Sequence, residues 1–514
     1  MPRAVLPMIA VDGHRLTLDD VARVARGNEK VRLAPVAAKR VDASRRALER
    51  LVEGSGVAYG IKTGFGQLAQ VSIPDRDAKQ LQLNLLRSHA VGQGPPLPTD
   101  AVRAALLLRA NTLAMGYSGV RRELIERILD MLNRGVHPVI PSRGSLGASG
   151  DLAPLAHLGL VLVGEGEASL ADETLPGRDA LAKAGLKPVT LETKEGLALI
   201  NGTAVMTGVG VLAVLDGLAL LKDAQVAASL SFEAMRGSPQ PYDDRLVALK
   251  PQPGAREVAR NLRRLLKGSE IVPSHPGPHR VQDAYTLRCI PQILGACRAA
   301  FDDAAEVLRV EMNAATDNPL IFAEDATSLS GGNFHGMAAA MALDHVALAM
   351  AVLAGFTERR IARLVDTRLS ELPAFLTAKG GLNSGMMILQ YVAADYASQN
   401  KVLAHPASAD SIPTSANQED YVPMGMAAAL KARDAVDNAS HVVALEYLAA
   451  AQGLEFLKPL KAGAGPRAAA ARIRREIPPL EEDRPMAREV EHILAWMRSG
   501  ELVAAAEKAA GPLD

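Results

Sequence analysis

The chain has 514 residues, 48% hydrophobic and 22% charged, with 57 basic and 57 acidic side chains and a formal net charge of zero. That length permits a large core, and the balanced charge gives no electrostatic case for binding nucleic acid or an anionic membrane. The two cysteines, Cys289 and Cys297, and the 11 histidines show no metal-ligand spacing, so neither a disulfide framework nor a metal is expected. The N-terminus lacks the sustained apolar run of a signal peptide, and a reducing cytoplasm fits the cysteine usage.

Residues 15–53 carry apolar and charged side chains at helical spacing, with Thr17 as N-cap. The next stretch, GSGVAYGIKTGFG (residues 54–66), packs five glycines into thirteen residues and predicts a loop. It lacks the GxxxxGK[ST] pattern of a phosphate cradle, and on pattern alone Tyr59 is an anchoring aromatic. Residues 77–90 are helical, with Leu81, Leu85 and His89 on one face, where a histidine reads as a core group. Residues 164–195 predict a surface excursion of short strands or turns. Two apolar runs rich in small residues, 203–221 and 337–356, approach membrane-spanning length. Asp216 interrupts the first, and Asp344 with His345 the second, so both predict helices buried in a bundle.

Residues 245–270 are helical, and Pro273, Pro276 and Pro278 mark a break. Gln282, Tyr285 and Arg288 follow at i, i+3 and i+6, spanning about a third of a helix's circumference. An arginine there serves as a surface ion-pair group or grips a carboxylate through two parallel hydrogen bonds. Residues 316–319 read as a turn, and Phe334 reads as packing before the second buried helix. Residues 381–385, 405–410 and 411–421 are turn-rich, and the last contains Glu419, on pattern alone a solvated carboxylate. Beyond residue 456 the sequence is Ala-rich and helical, with Pro478 and Pro479 as a break.

The chemistry concentrates in RGSLGASGDLAPLAH, residues 143–157. Ala148, Ser149 and Gly150 join three small residues in a glycine-rich run that can fold back tightly. A backbone held that tight lets the Gly150 nitrogen attack the Ala148 carbonyl carbon and close a five-membered ring. Loss of water then leaves the Ser149 side chain as an exocyclic methylene, an electrophile made from the chain itself. Asp151, ahead of Leu152, Leu155 and Leu158, reads as the N-cap of the helix that follows. Taken alone, the tripeptide is an ordinary Gly-Ser loop.

This run closely resembles the signature of the aromatic amino acid ammonia-lyases, and matching stretches recur from about residue 55 to residue 456. Within that family the chain is most similar to the histidine-specific branch. The resemblance implies a mainly α, fumarase/aspartase-like fold, a central bundle of long helices with the catalytic loops at one end. It implies 4-methylideneimidazole-5-one formed from Ala148, Ser149 and Gly150, no external cofactor, and a homotetramer with active sites shared between subunits. The expected activity is elimination of ammonia from L-histidine to give trans-urocanate, the first step of histidine degradation. Tyr59 would take the β-proton, Asn201 and Tyr285 would stand beside the ring, and Arg288 would bind the carboxylate. Gln282 and Phe334 would line the reacting centre, while His89 and Glu419 would meet the imidazole.

Ser88-His89 and Glu419 match the histidine-specific branch; Lys62, Ala204, Met337 and Tyr421 depart from its usual residues. The alternatives are the same chemistry on phenylalanine or tyrosine, or a 2,3-aminomutase. The expected organisation is one catalytic unit: a helical region carrying the ring loop (1–200), a central bundle (201–480) and a C-terminal helical segment (481–514).

Overall fold

The computed structural model describes residues 8–53, 73–274 and 282–514. Tyr59 and Lys62 lie outside the described residues. The chain is predominantly helical and divides into two compact units that interleave in sequence, 1–213 with 304–344 and 406–430, and 214–303 with 345–405 and 431–514. This division differs from one by consecutive segments, because its boundaries fall inside long helices.

The first unit contains α1 (Leu18–Ala25), α2 (Pro35–Glu53), α3 (Ala78–His89), α4 (Thr99–Ala114), α5 (Arg122–Arg134), α6 (Leu152–Leu162), α7 (Gly177–Lys183) and α8 (Glu195–Ile200). The helical pattern over 15–53 is therefore two helices and not one. Gly27 and the left-handed Asn28 (φ 55°) end the first, and Val31–Leu33 pairs in parallel with Ile9–Val11 before Pro35 opens α2. Thr17 caps α1 as expected, in a reciprocal capping box with Asp20. Helix α4 is buried from Ala101 to Ala114, so its apolar character runs all the way round. The excursion over 164–195 holds a hairpin, Glu167–Leu170 with Glu173–Pro176, followed by α7. At its end, Gln82 of α3 accepts the N–H groups of Gly196 and Leu197 and caps α8.

The second unit is the long-helix bundle. Its elements include the greater part of α9 (Ala204–Ala234), α10 (Asp244–Leu249), α11 (Pro253–Leu265), α12 (Tyr285–Arg288), the greater part of α13 (Ile290–Glu311) and of α14 (Met337–Val365), α15 (Thr367–Ser370), α16 (Met387–Leu403), the greater part of α17 (Gly425–Glu455), α18 (Ala464–Arg474), α19 (Ala487–Arg498) and α20 (Glu501–Ala510). Small residues set the packing. A Cβ at Gly217 of α9 would meet the Phe301 ring of α13 at 2.0 Å, and one at Gly453 of α17 would meet Ala234 of α9 at 3.0 Å. Helices α9 and α14 are long and apolar enough to cross a membrane by composition, yet they carry buried polar partners. Arg360 of α14 pairs with Glu446 of α17, both fully buried, and Tyr447 donates to Asp223 of α9 at 3.0 Å.

Candidate active site

The segment Ala148-Ser149-Gly150 is held by a second strand of backbone. Gly202 N–H donates to the Ser149 carbonyl at 3.2 Å, and Asp151 N–H donates to the Gly202 carbonyl at 2.8 Å. Gly150 and Gly202 thus face each other as a parallel bridge. Both are in the left-handed half of backbone space, φ 77° and 137°, which favours glycine. A Cβ on Gly150 would fall 2.2 Å from the Gly202 carbonyl carbon, and one on Gly202 would fall 2.6 Å from Arg109 Nη1. At Gly150 the obstacle is backbone, so a side chain there forces the two segments apart; at Gly202 it is chiefly the side-chain ends of Arg109 and Thr316. The close backbone approach at Gly150 fits a segment able to fold back on itself, as ring closure across Ala148, Ser149 and Gly150 would require.

Asp151 stands at the start of α6, and its carbonyl accepts the first helical bond from Leu155 at 2.9 Å. Its side chain, however, does not cap α6. It is fully buried and turns to the start of α9, where Oδ2 accepts from Val205 N–H at 2.9 Å and Met206 N–H at 2.8 Å. Oδ1 accepts from the Ser145 hydroxyl at 2.8 Å. The expected N-cap is corrected: the carboxylate satisfies the orphan donors of a different helix. Burial pushes its pKa up to about 6 against the pull of these hydrogen bonds.

Asn201 does not cap α9 either. Its Nδ2 donates to the Asn318 carbonyl at 3.0 Å, and Oδ1 is buried without a partner. Asn318 belongs to the turn foreseen at 316–319, where Asp317 forms a fully buried ion pair with Lys194 at 2.6 Å. Neither Lys194, Asp317 nor the buried Arg109 was singled out by sequence reading. For Arg109 the available signal was an arginine inside the apolar run of α4; Lys194, between Thr193 and Glu195, offered none.

Glu419 reaches Ser149 from the other side. The Ser149 hydroxyl donates to Glu419 Oε1 at 3.0 Å, and the Thr414 hydroxyl donates to Oε2 at 3.1 Å. Backbone bonds between Thr414 and Glu419 close a tight loop whose tip, Ser415, Ala416 and Asn417, is left-handed at three successive non-glycine residues. His89, half-buried at the end of α3, directs Nδ1 at the Leu85 carbonyl at 2.9 Å. A carbonyl only accepts, so Nδ1 carries the proton and Nε2 keeps its lone pair. Desolvation lowers the His89 pKa, with the Leu85 hydrogen bond and the nearby Glu419 charge pulling the other way.

Two further segments complete this cluster. Phe334, half-buried, precedes His335, whose Nε2 bonds the Tyr421 carbonyl at 3.2 Å, and Gly336 N–H donates to the Gly147 carbonyl at 3.0 Å. Met206 is the shared wedge. A Cβ at Gly336 or Gly425 would meet its sulfur at 2.6 or 2.5 Å, and one at Gly147 would meet its terminal methyl at 3.0 Å. Ala148 packs with Val422 and Met424. Residues 147–151, 201–206, 334–336 and 414–425 are therefore brought together.

Gln282, Tyr285 and Arg288 lie in the second unit and form a cluster of their own. Helix α12 is a single turn, so Gln282 stands outside it and not on a common helical face. The side chains still meet: Arg288 Nη1 donates to Gln282 Oε1, and the guanidinium carbon sits 4.4 Å from the Tyr285 ring centroid. Tyr285 is 67% exposed, and Arg288 Nε is buried without a partner.

The family model for aromatic amino acid lyases matches residues 16–475. A histidine ammonia-lyase of Symbiobacterium thermophilum is 52% identical over 502 residues, covering 98% of this chain and 99% of that protein. Among solved structures, a histidine ammonia-lyase from Trypanosoma cruzi superposes with a TM-score of 0.91 at 38% identity, covering 98% of this chain and 96% of the other. A tyrosine aminomutase from Streptomyces globisporus superposes with a TM-score of 0.94 at 36% identity, covering 99% and 100%.

Proposed function

We propose, from the premise that this chain belongs to the aromatic amino acid lyase family, that it eliminates ammonia non-oxidatively from L-histidine and releases trans-urocanate. The reaction breaks the Cα–N bond and one Cβ–H bond, forms the Cα=Cβ double bond, and releases the amine as ammonia. The 4-methylideneimidazole-5-one ring, held as part of the chain at residues 148–150, supplies an electrophilic methylidene carbon for this chemistry. No external cofactor is required.

The observation that carries the substrate assignment is Glu419 on Ser149 with His89 beside it. A carboxylate accepts an imidazole N–H and stabilises a cationic ring, whereas facing a phenyl group it would lose solvation without compensation. His89 Nε2, with its free lone pair, offers a second acceptor for the other ring nitrogen when that nitrogen is protonated. Phe334 gives the adjoining wall, and Asn201 with Gly202 holds the polar backbone behind Ser149.

Tyr59 takes the β-proton at its phenolic oxygen, a role inferred from the family resemblance. Its ordinary pKa is about 10, so a positive, partly dry setting has to favour the phenolate. Arg288 grips the substrate carboxylate bidentately, with Gln282 and Tyr285 supporting it. The enzyme works as a homotetramer in the cytoplasm, with each active site shared between subunits. The exposure of Tyr285 and the unpaired Arg288 Nε support a cluster that finishes its contacts in an assembly.

The test is a near-ultraviolet assay of purified protein with L-histidine, L-phenylalanine and L-tyrosine in parallel. Urocanate from histidine alone is the expected result. Cinnamate, coumarate or a β-amino acid product would overturn the specificity and turn attention to Ala204 and Met337. A fully active monomer on size-exclusion chromatography would overturn the shared site.

A further inference from the structure

Arg109 sits in the middle of α4 with none of its surface exposed. Nη1 donates to the Asn201 carbonyl oxygen at 2.7 Å, while Nε and Nη2 are buried without partners. Among the described residues no carboxylate reaches it as an ion pair. Nearby Asp317 is held by Lys194, and Asp151 by Ser145, Val205 and Met206. A buried guanidinium left this poorly paired is destabilising, and an apolar side chain of similar volume would be favoured on stability grounds alone.

Its one hydrogen bond is informative. The carbonyl it binds belongs to the Asn201–Gly202 peptide, and the N–H of that same peptide donates to the Ser149 carbonyl oxygen. A cation on the oxygen end of an amide draws electron density from the nitrogen end, so the N–H becomes a stronger donor. The Gly202 φ of 137° and the crowding by Arg109 Nη1 and Thr316 Oγ1 of the space where a Cβ would stand leave the peptide little room to turn away.

We propose that Arg109 is a positioning residue that activates the electrophile from behind, by polarising the Asn201–Gly202 peptide whose N–H binds the Ser149 carbonyl oxygen. The inference rests on the ring being formed from residues 148–150. In that ring the Ser149 oxygen is the carbonyl conjugated with the methylidene, and a stronger donor on it leaves the methylidene carbon more electron-poor. Arg109 touches neither substrate nor the methylidene carbon; it acts through one peptide bond.

The test uses the full-length protein and a small nucleophile in place of substrate. Cyanide forms a carbon–carbon bond to the methylidene carbon, the alkene electron pair moves onto the ring, and a proton is taken from water, so the peptide gains the elements of HCN. Ring content is first measured as the mass deficit of two waters in the residue 148–150 peptide, and trapping is then timed per ring-bearing site. Arg109→Met, neutral and of similar length, should keep the ring and the oligomer but trap about tenfold more slowly, because an indirect donor contributes less than a direct one. Arg109→Lys, which keeps the cation, should trap within about threefold of wild type. Trapping by Arg109→Met at the wild-type rate would overturn the proposal, as would a folded Arg109→Met without ring, since Arg109 would then act in forming the ring. Should Arg109→Met not fold, a tenfold fall in Arg109→Lys would overturn it, because charge would not be what matters. A wild-type peptide lacking the mass deficit would instead sink the functional reading itself.

Discussion

The Ser149 hydroxyl donates to the Glu419 carboxylate at 3.0 Å, although the two residues stand 270 positions apart in the chain. The residue proposed to supply the methylidene carbon and the group proposed to read the substrate ring therefore stand within hydrogen-bond reach, through the hydroxyl that leaves as water when the ring forms. Glu419→Gln should keep the fold and the two-water mass deficit. It should lower kcat/KM for histidine by roughly ten- to a hundredfold, the size expected for losing a charge-assisted hydrogen bond. Parallel kinetics and peptide mass spectrometry check this, and loss of the ring would move Glu419 from substrate reading to ring formation.

Gly150→Ala places a Cβ 2.2 Å from the Gly202 backbone and strains a left-handed residue. The two segments must separate, and with them the contact that keeps the turn tight. The expected protein is helical by circular dichroism, shows no mass deficit at residues 148–150, and is inactive. A ring-bearing Gly150→Ala protein would refute the requirement for close approach.

Asp151 holds two N–H donors of α9 in a buried site. Asp151→Ala leaves both unsatisfied and should destabilise the protein by roughly 2–4 kcal/mol in urea unfolding. Asp151→Asn keeps an acceptor oxygen and should be milder. The native pKa of about 6 lies above the ordinary 3.8, so the native state binds the proton more tightly than the unfolded chain. Stability from this group is complete below pH about 4 and is lost as pH rises through about 6, and Asp151→Asn should flatten that slope.

Asp223 gives the same sign over a wider window. It is buried, with the Tyr447 hydroxyl as its donor, and burial pushes its pKa up to about 8 from 3.8. The stability it contributes is full below pH about 4 and disappears as pH climbs through about 8. Asp223→Asn should therefore match wild type in acid and exceed it in thermal stability above pH about 8. Thermal unfolding followed at several pH values checks both arms.

Much of this was legible in the sequence where local chemistry and tertiary structure agree. Thr17, the helix over 77–90, the two small-residue helices and the break at Pro478 follow from caps, periodicity and proline. Glu419 and His89, on pattern alone a solvated carboxylate and a core group, were singled out by the family resemblance, and they do lie near each other. What failed had one cause. Asp151 read as the cap of the helix next to it, because sequence shows only neighbours along the chain, while its side chain's real partners are Ser145, Val205 and Met206. Lys194 was invisible for the same reason, since nothing local distinguishes this buried cation from a surface one.

Met206 meets Gly147, Gly336 and Gly425 from three separate segments. Bulk added at any one of those glycines collides with the same thioether, so the three positions cannot vary independently. A methyl group at Gly336 would be harmful beside methionine and tolerable beside alanine, whose missing atoms make the room. Substitution histories at these sites should accordingly be ordered, with position 206 shrinking before a glycine grows.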